Sequence, residues 1–172
     1  MLPETITDFQ LFADGVGLMG KTPEVKLPAL REIYEEEDLP GAGTAQRVYM
    51  DMMEKMESEF TLRGCDPATL GLFGKDEVLY TFRGALKQSN AASPGVAFVA
   101  HITGRLFDAD MEGITRKSLT SFRCGIDVTH YKLIRDGKTL VEVAADGSVM
   151  KFGERDLRSW VNDAIGHTGG II

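Results

Sequence analysis

The chain is poor in the residues that most chemistry needs. It has three histidines (His101, His130 and His167) and two cysteines, Cys65 and Cys124. The cysteines make no CxxC pair and no metal-ligand spacing. A hydrolase needs a nucleophile with a base in reach, yet nothing like GxSxG, HExxH or a Walker loop occurs. "GLFGKDEV" contains Gly74 and Lys75 but lacks the phosphate-loop spacing and its Ser or Thr. It reads as a helix cap followed by a solvated lysine. Glu57 and Glu59 share a strand face, as glycosidase acids can, but no cleft signal accompanies them. We assign no catalytic, cofactor-binding or metal-binding residue.

Basic charge is also scarce. Net charge is −7, so the protein lacks the basic stripe that grips phosphates, although nucleic acid can pass a surface that does not hold it. No apolar run approaches ~18 residues, and no cationic segment with an apolar stretch opens the chain. The expectation is a soluble protein with no membrane anchor that folds in a reducing cytoplasm, with Cys124 as a buried free thiol. Prolines number only 6 against 19 glycines, which suits tight turns more than a linker. A chain of 172 residues supports one core, so one domain over residues 1–172 is expected.

What is present is strand pattern. In "SFRCGIDVTHY", Phe122, Cys124, Ile126 and Val128 alternate with Ser121, Arg123, Asp127 and Thr129. In "PGVAFVAHITGRLF", Val96, Phe98, Ala100, Ile102 and Leu106 lie on one face, with Ala97, Val99, His101, Thr103 and Arg105 on the other. "LYTFRGAL" and "MESEFTLRG" are further strands; in the latter Met56, Phe60 and Leu62 oppose Glu57, Glu59, Thr61 and Arg63. "YKLIRDGKTLVEV" is a hairpin with Asp136-Gly137 at a type I′ turn. Regular pairing sets Ile134 opposite Thr139, Leu133 opposite Leu140 and Lys132 opposite Val141. Neither face is then cleanly polar, and a second covering surface is needed, either a neighbouring subunit or the helix around Trp160.

Two helices are expected. "DPATLGLFG" has an Asp66 cap, Pro67 in the first turn and Gly74 as the closing residue, about two turns. In "ERDLRSWVNDAIG", Leu157, Trp160, Val161, Ala164 and Ile165 form a stripe that must pack on a sheet, and Gly166 ends it. "VKLP" suggests an edge strand. "LREIYEEEDL" and "YMDMMEKMESEF" are ambiguous between helix and strand. Between them "DLPGAGTAQRV" is too long for a hairpin turn and reads as an extended excursion. The acid run Glu35 to Asp38 is a solvated face or arm. The fold class is mainly β (α+β): two packed antiparallel sheets, a sandwich or barrel, with a C-terminal helix packed on them.

"EVKLPALRE", "LPGAGTAQRVYMDM", "MEKMESEFTLRGCDPATLGLFG", "YTFRGAL", "ITGRLFDAD" and the stretch from His130 to Gly166 occur in this order. Their succession resembles the tail tube proteins of contractile-tailed bacteriophages and related injection particles such as tail-like bacteriocins. Thr44 and Thr103 depart from that pattern, standing where the family often has Met and Arg, as does "EVAADGS". The resemblance implies a homohexameric ring that stacks into a hollow tube, driven through the target envelope when a surrounding sheath contracts. It implies a virion protein assembled in the host cytoplasm. Its partners would be itself and the sheath, tape-measure, baseplate and tail-terminator proteins, with DNA passing unbound. On this reading residues 35–50 form an extended arm, and Leu39, Pro40, Gly41, Ala42, Gly43 and Thr44 contact another subunit. Glu57, Glu59 and Asp127 are candidate channel-lining residues. The alternatives are the tube protein of a type VI secretion system and, in a different class, a small β-barrel ligand-binding protein or enzyme.

Overall fold

The computed structural model describes residues 3–89 and 94–167; the Gly-rich tail beyond His167 lies outside them. Among the described residues twelve strands and two short helices follow one another. They are β1 (Glu4–Ala13), β2 (Val16–Gly17), β3 (Glu24–Lys26), β4 (Glu32–Glu37), β5 (Gln46–Met53), β6 (Glu57–Arg63), α1 (Pro67–Leu70), β7 (Val78–Gln88), β8 (Val96–Met111), β9 (Ser121–Arg135), β10 (Lys138–Ala144), β11 (Met150–Phe152), β12 (Arg155–Asp156) and α2 (Ser159–Ile165). The protein is mostly β, with two antiparallel sheets and no closed barrel among the described residues.

The larger sheet has the order β12-β11-β10-β9-β8-β7-β1-β2. The long β9 serves two neighbours on one edge: β6 pairs with its first half and β10 with its second. β3 adds an edge strand to β6, as "VKLP" suggests. In a flat sheet β6 and β7 would lie three strand spacings apart, about 14 Å. Instead the rings of Phe60 and Tyr80 sit 6.1 Å apart. The sheet therefore curls over on itself and closes a sandwich-like core. Leu11, Phe60, Leu62, Tyr80, Phe82, Ile102, Leu106, Ile126 and Tyr131 belong to its single buried cluster.

The expected inward faces of β6 and β8 hold. β9 is more subtle, because two bulges interrupt its pairing with β8. Thr103 pairs with His130 but Gly104 pairs with Val128, so Thr129 is extra. That extra residue changes the phase of alternation, and both Val128 and Tyr131 point into the core.

A third bulge corrects the hairpin. Ile134 does face Thr139, and Asp136 and Gly137 have φ of 49° and 74°, as a type I′ turn requires. Leu140 is bulged, however, so Leu133 pairs with Val141 and Lys132 with Glu142. Tyr131, Leu133, Val141 and Val143 now share the core face. His130, Lys132, Ile134, Thr139 and Glu142 share the other, which is polar except for Ile134. The hairpin has its wet side after all and needs no cover from a second subunit or a helix.

The helices are shorter than expected. α1 is a single turn closed by Gly71, while Gly74 instead donates its N–H to the Leu106 carbonyl at 3.0 Å. α2 begins only at Ser159, because Arg155 and Asp156 are drawn into β12. Two turns cannot lay a five-residue stripe on the sheet. Leu157 packs on the core and Val161 is half-buried, but Trp160 and Ile165 remain 62% and 66% exposed.

Candidate assembly surfaces

"DLPGAGTAQRV" is the tip of a hairpin. β4 and β5 pair only with each other, and residues 38–45 join them. Leu39 to Ala42 make a tight turn in which the Ala42 N–H donates to the Leu39 carbonyl at 3.0 Å, with Gly41 at φ +89°. Pro then Gly at the two central positions is the type II signature, and it is the signal that identifies this turn. Leu39, Pro40, Gly41, Ala42, Gly43 and Thr44 are all exposed at this tip.

The two faces of this arm differ. On one, Tyr34 meets Tyr49 with ring centroids 6.1 Å apart. Arg47 lies 4.4 Å over the Tyr34 ring and 3.8 Å from the Glu36 carboxylate. That face is knitted together by its own side chains. On the other, Glu35 pairs with Val48 and Glu37 with Gln46 across the strands, with Met50 beyond. Val48, Tyr49, Met50 and Met52 are all exposed. Residues 49–60 carry methionines at helical spacing, which masks this strand. A two-stranded hairpin is marginal by itself in water, so its root and its partners decide its order.

The root is at Asp51, a non-glycine residue at φ +52° where β5 bulges against β4. The Trp160 indole N–H donates to the Asp51 carboxylate at 2.9 Å, and Arg158 Nη1 donates to the Asp51 carbonyl at 3.3 Å. Asn162 Nδ2 donates to the Gly147 carbonyl at 3.0 Å. Gly147 leaves room for Arg158, since a Cβ there would sit 2.8 Å from Arg158 Nε. α2 thus bolts the arm to the β10–β11 turn. Trp160 acts here through its N–H rather than as core, a role that apolar periodicity does not reveal.

The three candidate lining carboxylates fall on one outward face. Glu57 and Asp127 are directly opposite across β6 and β9, and Glu59 is two residues along. Like charges directly opposite one another destabilise a sheet. Lys55 relieves this pair, with Nζ 3.3 Å from Glu57 and 3.9 Å from Asp127. Lys26 stands opposite Glu59. The face is therefore acidic but partly compensated.

Burial pushes the ionisable core groups toward their neutral forms. The phenols of Tyr80 and Tyr131 rise to about 12 and the Cys124 thiol to about 11, each mainly through desolvation. A thiol so raised is not a nucleophile at neutral pH. His101 is lowered, first by burial and then by Lys132, Arg83 and His130. No helix among the described residues is long and apolar enough to cross a membrane.

A search of curated proteins finds no match. Among solved structures, the fold is similar to a chain from the "Cryo-EM Structure of an Extracellular Contractile Injection System, PVC sheath/tube terminator in extended state". The TM-score is 0.53 and the identity 9%, over 78% of this chain and 98% of that one. A family model for "Phage tail tube protein FII" matches residues 3–166. A curled β sandwich with a separate protruding hairpin, matched over that span, belongs to the phage tail tube protein FII family, and the protein is a structural subunit of a tail tube.

Proposed function

We propose that six copies of this chain close into a ring and that rings stack into a hollow tube inside a contractile sheath. The observation that carries this is the arm, an isolated two-stranded hairpin with exposed Val48, Tyr49, Met50 and Met52. Such a surface calls for a partner, and in a self-assembling tube the partner is another copy. Leu39 to Thr44 at the tip make first contact. The particle is a virion tail assembled in the host cytoplasm, meeting tape-measure, baseplate and terminator proteins as well as sheath. The tube acts by stiffness and shape and performs no catalysis. The family match favours this reading over a type VI secretion tube protein. Deleting Pro40 to Thr44 leaves a folded monomer that no longer forms tubes by light scattering and negative-stain microscopy. A deletion variant that still polymerises removes the arm from this account.

Glu57, Glu59 and Asp127 line the channel in this proposal. Their carboxylates repel phosphates over about 8–10 Å at physiological salt, so DNA slides without binding wells. Lys55 and Lys26 soften the repulsion locally. In assembled tubes of a Cys65→Ser/Asp127→Cys variant, which lacks the exposed native thiol, a small maleimide reacts while a polymer-linked one too large for the bore does not. Equal labelling by both reagents puts this face outside and ends the lining role.

A further inference from the structure

We propose that the loop joining β8 to β9, residues 112–120, is the seat that receives the arm of a second copy of this chain. The inference rests on the tube reading and names the surface that the arm meets. Arg116-Lys117 is the only pair of adjacent basic residues in the chain, and Glu35 to Asp38 is its longest acidic run. The loop is also apolar. Ile114 is 80% and Leu119 76% exposed.

The loop tip is ordered. The Ser118 N–H donates to the Thr115 carbonyl at 3.3 Å, and the Ser118 hydroxyl donates to the same oxygen at 2.8 Å. Lys117 is held at φ +67°, a conformation rare for a non-glycine residue. These contacts set Arg116 and Lys117 at the apex of a fixed turn. Glu112, the one acid within residues 112–120, accepts from the Ser121 hydroxyl at 2.8 Å.

The arm carries the complement. Its unknitted face presents Glu35, Glu37 and Val48, and the tip adds Asp38 and Leu39. Among the described residues, Arg116, Lys117, Glu35, Glu37 and Asp38 take no ion-pair partner within the chain. Each surface thus offers charge of one sign beside exposed aliphatic side chains. A contact between two different patches is heterologous, so it propagates around a ring or along a stack rather than stopping at a dimer.

Charge reversal tests the pairing. Arg116→Glu/Lys117→Glu and Glu35→Lys/Glu37→Lys each raise the critical concentration for tube formation at least tenfold, while circular dichroism shows folded monomers. Combining both reversals in one chain restores assembly, as does mixing the two variants in equal amounts, because each then supplies the half that the other needs. The milder Arg116→Gln/Lys117→Gln variant gives an intermediate loss that shrinks with added salt, which screens the attraction only the wild type still has. Reversed variants that assemble like the wild type, or a combined chain that does not recover, overturn the pairing and leave the tube reading standing. A wild-type chain that stays monomeric at every concentration refutes the tube reading itself.

Discussion

Replacing Asp51 tests whether the arm is rooted as described. Asp51 accepts the Trp160 indole N–H at 2.9 Å and itself sits at φ +52°. A hydrogen bond to a charged acceptor contributes about 1.5–3 kcal/mol when sheltered. Trp160 is 62% exposed, so water competes and about 1 kcal/mol is the better figure here. Asp51→Ala loses that bond and adds about 1 kcal/mol of left-handed strain. The total, about 2 kcal/mol, lowers Tm by roughly 4–8 °C for a chain of this size. Asp51→Gly loses the same bond but relieves the strain, so its Tm stays near wild type. Opening the root frees residue 51, so bond and strain both enter: about 2 kcal/mol in Asp51→Ala is about a thirtyfold shift in opening, while in Asp51→Gly the two offset. Hydrogen exchange reads this at the Glu54 N–H, which donates to the Arg31 carbonyl at 2.8 Å. That amide exchanges about thirtyfold faster in Asp51→Ala and near the wild-type rate in Asp51→Gly, while core amides of β6 slow or quicken only with global stability. Trp160 is the only tryptophan, so its fluorescence reports the same event without labelling. Unchanged exchange at Glu54 together with unchanged Trp160 emission in Asp51→Ala refutes the root.

Two further outcomes follow from the core. A Cβ on Gly104 would lie 2.2 Å from the Asp127 carbonyl oxygen, a backbone atom that cannot swing aside. Gly104→Ala must pry β8 from β9 and costs about 2–4 kcal/mol; a Tm drop under 2 °C in differential scanning calorimetry refutes this. The Asp66 carboxylate is held below its ordinary range, first by the Thr69 hydroxyl at 2.6 Å, and Lys21 adds to the shift. A carboxyl depressed on folding contributes fully above its unfolded value of about 3.9 and loses that contribution as pH falls through the folded value. Asp146 is lowered likewise, mainly by Ser148. The carboxylate contribution is therefore level from pH 7 to 5 and falls below pH 4, while His101, lowered on folding, already costs stability as pH drops through its unfolded value of about 6.5. Asp66→Ala lowers Tm at neutral pH, by about 1 kcal/mol of stability, while making the fall below pH 4 shallower. An equal acid slope in the variant and the wild type contradicts the assignment.

Period-two reading found the inward faces of β6 and of β8 as far as Leu106 because there the side chains alternate between core and solvent; beyond it Phe107 is bulged. It failed wherever one residue was added. Thr129 and Leu140 each reset the alternation, and nothing in their chemistry marks a bulge. The arm was hidden for another reason. Methionine and glutamate favour helix in isolation, so Tyr49 to Phe60 reads as ambiguous between helix and strand; here pairing with β4 and β9 overrides that weak preference. The acidic face was legible, since Glu57, Glu59 and Asp127 occupy the polar phase of two readable strands. Lys55 between two of them was not, because it lies before β6 and reaches back. These corrections move the unpartnered surface. With Leu140 bulged, the Tyr131–Val143 hairpin turns Tyr131, Leu133, Val141 and Val143 to the core and leaves a mainly polar outer face, with Leu140 39% exposed. Exposed apolar groups remain on the arm, at Trp160 and Ile165 on α2, at Ile114 and Leu119 on the β8–β9 loop, and also at Val16, Met19, Phe73, Leu79 and Phe107. The arm and the β8–β9 loop set such groups beside charge of opposite sign. Association driven by grease alone would be unselective, whereas opposite charge beside it fixes which patch meets which. A tube of stacked rings needs each of its contacts to repeat faithfully, and the complementary charge on the arm and the loop suits them to one of those contacts.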